Sequence, residues 1–110
     1  MNLENRIEIL ERCRLYGEIL MLVGKIFKET EFDDFSVEYE DLVESEEQKQ
    51  FDVETDAGDK KPFNGIRFDD GMLWVDYGGN ISVQFLEVKA STLLKIYYFL
   101  RVCIDNKRKV

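Results

Sequence analysis

The chain has 110 residues, 45% hydrophobic and 13% aromatic, with 23 acids against 15 bases and no histidine. That composition supports one domain with its own core, residues 1–110, and argues against global disorder. A net charge of −8 and a pI near 4.6 weigh against direct nucleic-acid binding and against an anionic membrane surface, since both need a basic footprint.

Residues Leu3 to Phe27 read as a long helix. Leu3, Ile7, Leu10, Cys13, Gly17, Leu20, Gly24 and Phe27 recur at three- and four-residue steps. Glu4, Glu8 and Glu11 lie early and Lys25 and Lys28 late, which suits the helix dipole. Glu8 and Arg12 form a favourable i, i+4 pair. Gly17 and Gly24 share a face and cost helix propensity, so close packing against another element is the expected reason for them. The only purely apolar run in this helix, Ile19 to Val23, is far too short to span a bilayer. No basic leader precedes it.

An acidic segment follows, at 29–59. It holds fourteen carboxylates and one base, Lys49, for a charge of −13. The other 79 residues carry 14 bases and 9 acids, or +5, and the two parts give the total of −8. Within it, Phe35, Val37 and Tyr39 alternate with polar residues, as do Phe51, Val53 and Thr55. Both patterns predict half-buried strands whose carboxylates point away from the core. Glu44 to Gln50 reads as a loop or helical turn. Asp56 to Gly65 reads as loop, with Gly58, Pro62 and Gly65 as breakers.

Turn chemistry dominates the next stretch. Asp70-Gly71 is a two-residue hairpin turn. It pairs Phe68 with Leu73, Arg67 with Trp74 and Ile66 with Val75. Gly78-Gly79-Asn80 suits a three-residue turn pairing Tyr77 with Ile81, Val75 with Val83 and Leu73 with Phe85. Both registers put Ile66, Phe68, Leu73, Val75, Tyr77, Ile81, Val83 and Phe85 on one face. Arg67 and Trp74 share the other face, close enough to stack.

Ser91 is the expected N-cap of a last helix reaching about Asn106. That helix is apolar nearly all round, so it needs cover on more than one side. The first helix is one cover, and a second chain is the expected other. Tyr98, Phe99 and Val102 are the expected homodimer contacts. The fold class is therefore α+β: a long N-terminal helix, an antiparallel meander of four or five strands and a C-terminal helix, with both helices on one sheet face.

Chemistry-bearing patterns are sparse. Without histidine the usual neutral-pH base, the Ser-His and Cys-His nucleophile systems and the commonest transition-metal ligand are missing. Cys13 and Cys103 form no disulfide framework. Each is expected to pack as a small hydrophobe in a reduced, cytoplasmic protein. Asp52, Glu54 and Asp56 resemble the start of a calcium loop, but its sixth position is Ala57 and its twelfth is Phe63 instead of Gly and Glu. Asp69 and Asp70 lie at a turn, and Gly78-Gly79-Asn80 precedes a strand, so neither suggests catalysis or a phosphate cradle. No enzyme activity, cofactor or metal is expected.

The acidic segment is what remains. Alternate carboxylates on one strand face stand about 6.8 Å apart, within a Debye length of about 8 Å, so they repel. A basic partner surface would relieve that repulsion and steer association. Basic surfaces of this size are most often built to hold nucleic acid. The expected function is a non-enzymatic inhibitor that mimics nucleic acid, in the manner of small anti-CRISPR and anti-restriction proteins. The alternatives are an immunity protein or antitoxin against a basic toxin, and a homodimeric accessory protein whose acidity serves solubility. The expected partner-binding residues are Glu38, Glu40, Glu44, Glu46, Glu47, Asp52, Glu54 and Asp56.

Overall fold

The computed structural model describes residues 3–26, 35–38 and 50–108. Helix α1 spans Leu3–Ile26. Strands β1 (Phe35–Glu38), β2 (Asp52–Glu54), β3 (Lys60–Asp69), β4 (Met72–Tyr77) and β5 (Ile81–Gln84) follow, then a 3₁₀ turn at Phe85–Glu87 and helix α2 (Ala90–Arg108). The fold is α+β, with an antiparallel sheet and both helices on its apolar face.

Strand β3 is the spine. Its C-terminal half takes β1 on one edge, with Phe35 opposite Phe68 and Val37 opposite Ile66. Its N-terminal end takes β2, with Asp52 opposite Pro62 and Glu54 opposite Lys60. The other edge pairs with β4, which pairs in turn with β5. The Asp70-Gly71 hairpin forms in the expected register: Phe68–Leu73, Arg67–Trp74 and Ile66–Val75. Asp70 and Gly71 both have positive φ, 53° and 76°, as a turn matched to strand twist requires. Tyr77–Ile81 and Val75–Val83 also pair as expected.

The ladder stops one pair early, at Trp74–Gln84. Phe85 turns into the 3₁₀ segment instead of pairing with Leu73, yet its ring stays buried. A larger difference lies at 56–65, expected as loop. From Lys60 onward it is strand. Pro62 lies near the start of the strand, where a proline is tolerated. Its carbonyl accepts from the Gly78 N–H at 2.8 Å, and the Phe63 N–H donates to the Phe51 carbonyl at 2.8 Å. A bulge between Phe63 and Gly65 absorbs the remaining irregularity.

The core runs from α1 (Leu15, Ile19, Leu22, Val23) through the sheet (Val53, Phe63, Ile66, Leu73, Val75) to α2 (Leu93, Ile96, Leu100, Cys103). Phe51 stacks on Phe63 with ring centroids 4.9 Å apart, and Phe99 meets both rings edge-on. Phe99 therefore belongs to its own chain's core, at 7% exposure. It has almost no surface to give a second chain, unlike the exposed Tyr98 and Val102.

The buried face of α1 is not the expected one. Leu3, Ile7, Leu10, Cys13 and Gly17 are exposed, and Leu20 and Gly24 are half-buried. Phe27 lies outside the described residues. The face toward the core carries Arg12, Leu15, Ile19, Leu22 and Val23. Cys13 is thus a surface thiol, and only Cys103 packs as a buried hydrophobe. A Cβ on Gly17 would meet nothing within 4 Å, so no packing among the described residues accounts for that glycine.

Candidate functional site

Of the eight acids expected to meet a partner, Glu40, Glu44, Glu46 and Glu47 lie outside the described residues. Glu38 ends β1, opposite Gly65. Asp52, Glu54 and Asp56 alternate with Val53 and Thr55, and those two are buried. The alternation in this part therefore puts carboxylates on the outer side, as expected.

What those carboxylates do differs along the strand. Asp52 is exposed. Glu54 sits 3.5 Å from the Lys60 ammonium on the neighbouring strand, an exposed ion pair worth little. Asp56 takes two hydrogen bonds from Arg12, at 2.7 and 2.8 Å. Arg12 is 8% exposed, and the bidentate geometry suits a guanidinium drawn into the protein. Asp59 accepts the Tyr77 hydroxyl at 2.8 Å. The C-terminal end of the acidic segment is thus tied into the scaffold.

Arg12 is the centre of a wider clamp. Its guanidinium also donates to the Leu86 carbonyl at 2.9 Å and to Glu8 Oε1 at 3.1 Å. Glu8 Oε1 in turn accepts the Ala90 N–H, the first of α2, at 2.9 Å. A carboxylate at a helix N-terminus satisfies an orphan donor and favours the dipole. Helix α2 therefore begins one residue before the expected Ser91 cap, with an acid from α1 supplying the cap. The Lys89 carbonyl accepts the Thr92 and Leu93 N–H groups. One side-chain cluster joins α1, the segment after β2, the 3₁₀ turn and α2.

The charges respond to this geometry. Hydrogen bonding to Arg12 holds the Asp56 carboxyl below the ordinary aspartate range. Hydrogen bonding to the Asp56 carboxylate raises Arg12 against the opposing effect of its burial. Burial, then the hydrogen bond to Asp59, pushes the Tyr77 phenol up. The Glu8–Arg12 half of the clamp was legible as an i, i+4 pair. Asp56, 44 positions away, carried no local signal.

The open sheet face is self-satisfied. Arg67 lies 6.0 Å from the Trp74 ring centroid and donates to Asp76 at 3.2 Å and Ser82 at 2.9 Å. Ser82 donates to Asp76 at 2.6 Å, and the Trp74 indole N–H donates to the Asp69 carbonyl at 3.3 Å. Trp74 is on the face opposite Leu73, as the hairpin register requires. Among the described residues no group of three His, Cys, Asp or Glu is placed to hold a metal ion. None of their helices is long and apolar enough to cross a membrane. No known protein family, curated protein or solved structure matches this chain.

Proposed function

We propose that the protein is a non-enzymatic inhibitor that binds a basic, nucleic-acid-binding protein surface through its acidic segment and mimics the nucleic acid held there. The observation that carries this reading is charge segregation: −13 within residues 29–59 against +5 in the rest of the chain. Setting aside Glu54, Asp56 and Asp59, which have partners within the chain, residues 29–52 still hold eleven carboxylates and one lysine. So many like charges so close in sequence repel one another within a Debye length of about 8 Å. A basic partner relieves that repulsion and gains steered association. We take Glu38, Glu40, Glu44, Glu46, Glu47 and Asp52 as the working set, since Asp56 is held by Arg12 and Glu54 faces Lys60.

The test is capture of partners from a host lysate on the immobilised protein, followed by elution with a duplex DNA of about 20 base pairs and, separately, with rising salt. The expected result is a nucleic-acid-binding protein that duplex and salt both release. It should not be captured by a variant with Glu38, Glu40, Glu44 and Asp52 all changed to lysine. Capture that ignores both the duplex and the reversals contradicts the proposal.

A further inference from the structure

The outer face of α1 is an apolar stripe that none of the described residues covers. Leu3, Ile7, Leu10 and Met21 are 71%, 52%, 69% and 67% exposed. With Arg14 and Gly17 they recur at alternating four- and three-residue steps, the heptad seam of a coiled coil. The stripe points away from Arg12, Leu15 and Ile19, the buried face of the same helix. From this we infer that two copies of the chain pair through α1, in parallel, along this stripe.

The seam itself favours a second copy. Ile7 and Met21 fall at one core position and Leu3 and Leu10 at the other, and β-branched Ile7 between two leucines is the combination that favours two parallel strands. Arg14 is the single charged residue in the stripe. A lone polar residue at that position fixes register and oligomer state at some cost in stability. Its guanidinium is already held along the helix, by Glu11 at 2.8 Å and Glu18 at 3.0 Å. Gly17, open on its outer side, leaves space for the neighbouring Arg14 stems.

The rims agree in charge. Glu4, Glu11 and Glu18 line one side of the stripe, and Arg6 lies on the other. Parallel in-register pairing sets Arg6 of one copy beside Glu11 of the other, the flanking pair that selects partner and direction. A lipid surface fits this face poorly, because interfacial helices carry basic rims. Area is sufficient. The four apolar side chains offer on the order of 250 Å² per chain at about 100 Å² for each fully exposed side chain. Used twice, and with a polar rim added, the contact approaches the lower bound of about 1,000 Å² for a specific interface.

The experiment is mass by light scattering across a concentration series, on the full chain and on a Leu10→Glu/Met21→Glu variant. The expected result is a wild-type dimer with a dissociation constant on the order of 10 μM, weakened at least 100-fold in the variant at unchanged Tm. A monomer at about 100 μM, or a variant that dimerises as wild type does, overturns the inference. The second outcome would place the contact at Tyr98 and Val102 of α2. A second readout does not depend on that variant folding. In a Cys13→Ser background, Leu3→Cys and Met21→Cys, made singly, should each cross-link to a covalent dimer under mild oxidation, since only parallel in-register helices bring both ends of the stripe against themselves. Failure to cross-link likewise overturns the proposed pairing.

Discussion

On α1 two faces carry apolar side chains, and only one of them is buried. The outer face presents Leu3, Ile7, Leu10 and Met21 to solvent, while the inner face buries Arg12 beside Leu15 and Ile19. The inner face is held by what it meets: Asp56, the Leu86 carbonyl and, through Glu8, the first N–H of α2. Burial on this helix follows the tertiary partner, and hydrophobicity alone does not choose the side.

Substitutions on the two faces should therefore separate sharply. Ile19→Ala removes a fully buried side chain and should cost about 2–5 kcal/mol in unfolding free energy measured by denaturant titration. Arg12→Ala breaks the clamp and should cost about 2–4 kcal/mol. That is slightly below the usual range for one partner of a buried ion pair, because the stranded Glu8 and Asp56 can take up water. Gly17→Ala should go the other way. Its Cβ enters open space, and the helix gains about 1 kcal/mol of propensity, so Tm should rise by about 4–8 °C for a domain of this size. A loss of Tm there, at concentrations where the chain is monomeric, would mean that Gly17 meets something within its own chain. Leu10→Ser, also on the outer face, should move monomer stability by no more than about 0.5 kcal/mol.

The clamp has a pH signature as well. The folded-state pKa of Asp56 is depressed by Arg12, so its contribution is present above the unfolded pKa, near 4. It is lost as pH falls through the folded value. Stability attributable to Asp56 should be constant from neutral pH to about 5 and decline below about 4. In Asp56→Asn the stability difference from wild type should shrink over that same interval, as followed by thermal melts.

The comparison also explains what the sequence could disclose. Both hairpins were legible because Asp70-Gly71 and Gly78-Gly79-Asn80 demand particular turns, and apolar alternation then leaves one register. The face of α1 was not, since two apolar stripes share the helix and the more regular one lies outside. The missed start of β3 has a similar origin. Gly58, Pro62 and Gly65 read as breakers, but a bulge and carbonyl-side pairing accommodate Pro62 within a strand. At the candidate site, alternation correctly put Asp52, Glu54 and Asp56 outward. It could not separate Asp52 from Asp56, because their difference is made by a cation on another element.

The central proposal is that the acids of 29–52 serve recognition while Asp56 and Asp59 serve the fold. Its most direct test measures thermal unfolding and partner capture on one variant, with Glu38, Glu40, Glu44 and Asp52 all changed to lysine. Relief of like-charge repulsion should leave Tm unchanged or raised, and capture of the duplex-displaceable partner should be lost. Capture at wild-type strength would contradict the claim, and so would a Tm lowered by more than about 5 °C, roughly 1 kcal/mol for a domain of this size.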